Sequence, residues 1–250
     1  MSTLIISDPK LAHTVHYLFE WMAILTGLIV YRALRLNQGR CGLMEPGSFA
    51  VVVGALIGGA VGNKMVFWVD SPEIWNGSVA GWDILLGGQS VVGGLLGGWI
   101  GVEIGKRISG ISARTGDDYV LPILSGLVIG RIGCFLAGLN DGTYGVPTVL
   151  PWGVDFGDGI PRHPTQLYEC LLALLVLVTW PRWKGVFAHT PGLAFRSLMV
   201  GYLLWRLSID WLKPVSHAYI LGLSGIQVTC IVAFFVIIAN LVYDRSKVTQ

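Results

Sequence analysis

Seven stretches of nearly continuous apolar residues dominate the chain, each broken off by a polar or glycine- and proline-rich connection. They run near Val15–Arg35, Ser48–Val69, Val91–Lys106, Tyr119–Leu139, Thr165–Pro181, Gly192–Leu212 and Ser224–Tyr243. An α-helix needs about 20 such residues to cross the hydrocarbon core of a bilayer. The pattern therefore predicts an all-α, polytopic membrane bundle of seven transmembrane helices, forming one membrane-embedded domain over residues 1–250. The third stretch is the shortest and is rich in glycine. The longest connection, residues 140–164, carries Gly, Pro and Asp and ends against a helix. Loops beyond about 12–15 residues without structure of their own are often functional.

Composition agrees with a membrane setting. Of 250 residues, 53% are hydrophobic and 13% charged, about half the charge of a soluble domain, and the mean hydropathy is +0.65. Many of the 34 glycines fall inside the apolar stretches, where small residues let membrane helices approach closely. A net charge of +2, with no basic tract and no ladder of stacking aromatics, gives no sign of nucleic-acid binding. The four cysteines, Cys41, Cys134, Cys170 and Cys230, are scattered. Neither a disulfide framework nor a CxxC metal site is expected, and no metal or cofactor is implied. The N-terminus has no basic region followed by a cleavage site, so no cleaved signal peptide is expected.

Lys and Arg bias sets the expected orientation. The loops after the first, third and fifth spans and the C-terminal tail hold Arg32, Arg35, Arg40, Lys106, Arg107, Arg114, Arg182, Lys184, Arg245 and Lys247. The other side has only Lys10, Arg162 and Lys213, beside the acids Asp70, Glu73, Asp83, Asp141, Asp155 and Asp158. The N-terminus is expected outside and the C-terminus in the cytoplasm. At 1.5 Å per residue, Glu20, Lys64, Arg131, Glu169, Arg206 and Asp210 then fall in the outer half of the bilayer. Charges inside spans are costly and default to function. Three of these six are basic, which suits an anionic ligand such as phosphate. Two local pairings are also open: Arg206 with Asp210 at i,i+4, and Glu103 with Lys106 at a helix end. Arg131 has no acid within a turn and needs a partner from elsewhere.

The sharpest motif lies between Gly130 and Glu169: GRIGCFLAGLNDGTYG, then LPWGVDFG, then RHPTQLYE. It strongly resembles the prolipoprotein diacylglyceryl transferase family through Gly130, Arg131, Gly133 and Phe135, and through Arg162, His163, Pro164, Gln166, Leu167, Tyr168 and Glu169. Gly201, Tyr202 and Arg206, then Gly225, Ile226 and Gln227, extend the likeness over most of the chain. The resemblance implies a multi-pass enzyme of the bacterial plasma membrane, acting at the outer leaflet. Its substrates would be membrane lipid, phosphatidylglycerol, and an acceptor, the lipobox cysteine of a prolipoprotein signal peptide. Arg131 and Arg206 would be the catalytic phosphate-binding arginines. Lys64, Tyr202, Gly93, Gly94, Arg162, Gln166, Tyr168, Glu169 and Glu20 would line the substrate site.

The departures bear on the acceptor. The family's third-helix histidine is Val92 here, its asparagine after G-R-x-G is Cys134, and its N-G-E pattern gives Ala137 and Leu139. A longer turn supplies Asn140 and Asp141 instead. Cleaving a diacylglyceryl C–O bond releases glycerol phosphate, so the reaction needs cations at the phosphate and a base for the nucleophile. His163, with an ordinary pKa near 6.5, and Asp141 are the candidate bases. His163 can equally order the loop around Pro164, Asp141 can equally form a turn, and Cys134 reads first as small buried packing. Two alternatives stay open: transfer from the same lipid to a glycan or other non-protein acceptor, and non-catalytic phospholipid binding or transport.

Overall fold

The computed structural model describes residues 5–40, 49–76, 88–215 and 217–248. Cys41, Ser48 and Asp83 lie outside the described residues, as do the side chains of Arg245 and Lys247. Among the described residues there are seven α-helices: α1 (Pro9–Asn37), α2 (Phe49–Asp70), α3 (Val91–Ile108), α4 (Val120–Ala137), α5 (Thr165–Phe187), α6 (Leu193–Ile209) and α7 (Gly225–Val248). A two-stranded antiparallel hairpin, β1 (Val154–Asp155) with β2 (Pro161–Arg162), decorates the long connection. Large apolar side chains point outward along the helices, with Ile29 68%, Leu56 66% and Val178 63% exposed. Lipid tolerates such a surface, while the backbone bonds stay inside each helix.

Among the described residues, five helical runs are long and apolar enough to cross a membrane: Pro9–Asn37, Phe49–Asp70, Gly116–Asp141, Thr165–Phe187 and Gly225–Val242. Helix α3 has 18 residues but carries Glu103, Lys106 and Arg107, and α6 has 17. Three boundaries lie five or more residues from the sequence pattern, among them the end of α7 at Val248. Helix α1 starts earlier because the Asp8 carboxylate accepts from Leu11 N at 3.0 Å, with Pro9 at the first position, a favourable helix start. Helix α5 does not stop at Pro181 but continues to Phe187.

The chain forms two compact units. The first comprises residues 1–43, 114–198 and 211–214. In it α4 packs between α1 and α5. Gly27 lies under the Pro122 carbonyl, Gly126 under that of Ala23, and Gly133 against the Phe19 ring, so α1 and α4 meet at backbone distance. Helix α4 ends at Gly138, whose φ of 59° is in the left-handed region that glycine enters without strain. Asp117 accepts from Gly192 N at 2.6 Å and Phe195 N at 3.0 Å, capping the start of α6 from a distant segment.

The second unit comprises residues 44–113, 199–210 and 215–250. Its centre is the antiparallel pair α2 and α3. Gly54, Gly58 and Gly62 face Gly101, Gly97 and Gly93, and any Cβ added there would overlap a backbone carbonyl. At one end, Asn63 accepts from Ser90 N at 2.7 Å, and Ser90 caps α3. Helix α7 begins with a reciprocal capping box: Gln227 N donates to Ser224 Oγ at 3.1 Å, and Ser224 N donates to Gln227 Oε1 at 2.9 Å. Asp70 adds a third contact, accepting from Ile226 N at 3.0 Å.

Candidate active site

In the first unit the interior charge sits where α4 meets α5. Arg131 Nη2 lies 2.5 Å from Glu169 Oε2, and Lys213 Nζ lies 2.9 Å from Glu169 Oε1. All three side chains are buried, Glu169 completely. Arg131 thus finds the partner its own helix lacks, and it comes from the RHPTQLYE segment. Two cations share one carboxylate. Two buried cations at one place offer charge-assisted hydrogen bonds of the kind that bind an anion. Arg131 Nη1 also donates toward Cys134 Sγ at 3.8 Å, one turn along α4.

A second polar group stands in the same unit. His16 on α1 meets Asp141, just past α4, with Nδ1 to Oδ1 at 3.0 Å. Its Nε2 is 4.0 Å from Glu20, one turn along α1. The Thr143 hydroxyl bonds the other Asp141 oxygen, and Asn140 Nδ2 donates to the Ile6 and Ala137 carbonyls at 3.4 Å, pinning the turn. One donor atom from each of His16, Asp141 and Cys134 lie within 4.8 Å of one another. His16 does not stand out among charged residues in spans, because an imidazole carries no formal charge in such a count. The signal was there: a histidine one turn before Glu20 on an otherwise apolar stretch.

The other expected residues divide by unit. In the first, His163 Nδ1 is 3.2 Å from the Tyr168 hydroxyl, which also accepts from Trp152 Nε1 at 2.8 Å. The His163 backbone bonds Val146 and Gly145, which fixes the loop against the start of α5. Arg162 pairs with Asp158 at 2.6 Å and lies over the Tyr144 ring at 5.3 Å, at the edge of the hairpin. That guanidinium holds the Asp158 carboxyl below the usual carboxylate range. Gln166, one turn before Glu169 on the same face of α5, is fully buried. Its amide has no hydrogen-bond partner among the described residues.

In the second unit, Arg206 Nη2 lies 3.2 Å from Asp210 Oδ1, and the Ser224 hydroxyl bonds the other Asp210 oxygen. Tyr202 is buried one turn before Arg206. Lys64 donates to the Gly88 carbonyl at 2.8 Å. Gly93 belongs to the seam with α2, while Gly94 is in ordinary contact with Asn63. Val92, at the position of the family histidine, is buried. Glu103 pairs with Lys106 at 3.0 Å, the helix-end pairing its spacing allows. Among the described cysteines, Cys134, Cys170 and Cys230 are free thiols.

Comparison with known proteins gives one family. The family model described as prolipoprotein diacylglyceryl transferase matches residues 11–243. A phosphatidylglycerol–prolipoprotein diacylglyceryl transferase of Nitratidesulfovibrio vulgaris (strain DP4) is 36% identical over 178 residues, covering 65% of this chain and 61% of that protein. A protein of the same name from Geobacter sulfurreducens is 30% identical over 226 residues, 82% of each chain. Another, from Solidesulfovibrio magneticus, is 37% identical over 196 residues, 73% of this chain and 69% of its own.

Proposed function

The chain belongs to the prolipoprotein diacylglyceryl transferase family, and we propose that it moves a diacylglyceryl group from phosphatidylglycerol to an acceptor thiol at the outer face of the bacterial inner membrane. The observation that carries this reading is the buried Arg131–Glu169–Lys213 cluster, in which two cations share one carboxylate. A phosphate drawn to Arg131 gains charge-assisted, bidentate bonds. Those bonds strengthen as the bridging oxygen takes up the electron pair of the breaking C–O bond. The orphaned amide of Gln166, on the same face of α5, supplies both a donor and an acceptor for the headgroup glycerol. Left unmatched, a buried polar group costs about 1–3 kcal/mol.

The base follows from the second polar group. His16 takes the acceptor proton, and Asp141 orients the imidazole and stabilises its cation. The acceptor sulfur bonds to the diacylglyceryl carbon, the C–O bond breaks, and glycerol phosphate leaves with the electron pair. Asp141 serves as the orienting carboxylate, and His163 holds the loop. Arg206 keeps the phosphate-binding role that the resemblance implies, with Tyr202 beside it, and Lys64 assists. Seven spans, the N-terminus outside and the loop 140–164 external complete this reading.

A second reading rests on Val92, a buried hydrocarbon where the family pattern has histidine. It keeps the lipid donor and changes the acceptor to a glycan or another non-protein group. Labelled phosphatidylglycerol, incubated with the purified protein and membrane extract, tests both. Label in a lipobox peptide supports the first reading, and label in a glycan supports the second. The variants Arg131→Ala and Arg206→Ala are expected to lose at least about tenfold in rate, the worth of one charge-assisted bond. Wild-type rates in either remove its phosphate-binding role.

A further inference from the structure

Cys134 stands between the two polar groups of the first unit. Its sulfur faces the Arg131 guanidinium at 3.8 Å and shares a cluster with His16 and Asp141, all within 4.8 Å of one another. A thiol beside an imidazole can pass its proton to the ring as it attacks. The same three residues also supply enough donors for a zinc ion. The guanidinium at the sulfur decides between these: a fixed cation 3.8 Å from the ligand atom repels a divalent metal. A carboxylate that orients the imidazole, at 3.0 Å here, completes the arrangement of a covalent catalyst.

We propose that Cys134 is the nucleophile of a second activity, acyl transfer from a glycerophospholipid through a thioester on the protein. The electrophile is chosen by what can leave. Attack on the diacylglyceryl carbon would give a thioether, from which the sulfur does not depart, and the site would be spent after one event. Attack on an ester carbonyl gives a thioester that can be passed on. A phospholipid whose phosphate is held at Arg131 places its ester carbonyls only the glycerol carbons away, and Arg131 Nη1 already lies at the sulfur, where the oxyanion develops. In the first step His16 takes the thiol proton, the S–C bond forms, and the ester C–O bond breaks. The proton passes to the leaving oxygen, releasing a lysophospholipid. In the second step a hydroxyl acceptor, water in the simplest case, attacks the thioester, gives its proton to His16 and frees the thiol.

This activity shares Arg131 with the proposed diacylglyceryl transfer but is read separately. The purified full chain in detergent micelles receives phosphatidylglycerol labelled differently in its acyl chains and its headgroup. After acid quench, acyl label on the peptide containing Cys134, released by hydroxylamine and matched by lysophosphatidylglycerol, is the expected result. His16→Gln is expected to slow adduct formation on the order of 100-fold, the range of a lost general base. Cys134→Ala, with its thermal midpoint measured to confirm folding, is expected to carry no label. Headgroup release as glycerol phosphate reports the diacylglyceryl transfer independently, so either activity can fail alone. A hydroxylamine-resistant adduct bearing the whole diacylglyceryl group, stoichiometric zinc lost in Cys134→Ala, or no acyl adduct in the folded wild type each overturns the proposal.

Discussion

Two arginines in the first unit hold a carboxylate at nearly the same distance and mean opposite things. Arg131 lies 2.5 Å from Glu169 with both side chains buried; Arg162 lies 2.6 Å from Asp158 at the edge of a hairpin, with Asp158 31% exposed. Length does not rank them. Water around the second pair screens the attraction and solvates either partner alone, so such a pair contributes little. The first pair is buried away from bulk solvent, so removing one partner leaves the other's charge without that compensation. The buried cluster is therefore weakly stabilising as a whole and strongly destabilising in part. This is what is expected where charge is kept for chemistry.

The largest expected effect comes from removing the shared carboxylate. Glu169→Ala takes the shared carboxylate from both Arg131 and Lys213 and should cost about 3–5 kcal/mol of unfolding free energy, measured by denaturant titration in micelles. If it costs no more than Asp158→Ala, the contrast between the two pairs collapses. Replacing Arg131, Glu169 and Lys213 together by Met, Leu and Met sharpens it. Stability should return to within about 1 kcal/mol of wild type, as for other buried ion clusters replaced by hydrocarbon, while lipid turnover stays absent. Failure to recover would show that the cluster itself holds α4 to α5. The smallest effect belongs to Asp158→Asn, which should leave the thermal midpoint unmoved and only speed hydrogen exchange at Ile160 N, which bonds Asp158 at 3.2 Å. Arg162 lowers the Asp158 pKa. The pair's contribution is therefore present above the ordinary carboxylate range and is lost as pH falls through the lowered value. Exchange at Ile160 that responds instead to alkaline pH would contradict this.

What the sequence made legible follows the same line of locality. All seven helices are visible as apolar runs, because lipid asks only for length and hydrocarbon. Pairs close along the chain are visible too, as openings: Glu103 with Lys106, and Arg206 with Asp210, sit three and four residues apart, a spacing that allows them to meet. The partners of Glu169 are not, because Arg131 comes from another helix and Lys213 lies 44 residues along the chain, so they meet it only through tertiary packing. His16 with Asp141 joins two ends of the first unit in the same way. His163 stands out by residue type, while its backbone bonds to Gly145 and Val146 and its contact with Tyr168 are not legible, because they form only when the loop folds back on itself. Gly225, Ile226 and Gln227 matched the family as a motif, and their spacing after Ser224 is that of a helix cap, which local pattern alone could have given.

The glycine seam between α2 and α3 carries an ambiguity of its own. Gly54, Gly58 and Gly62 recur every four residues, as do Gly93, Gly97, Gly101 and Gly105 on the opposite helix. A track of identical teeth meshes as well after a slide of one notch, about 6 Å along the axis, as it does before. Close contact therefore brings the helices together without saying where along each other they stop. The stop is a latch at one end: the Asn63 side chain takes the amide of Ser90, and Lys64 takes the carbonyl of Gly88. Two adjacent polar residues, seated just beyond the last tooth of α2, give the track its phase. They turn a surface built for sliding into one with a single resting place.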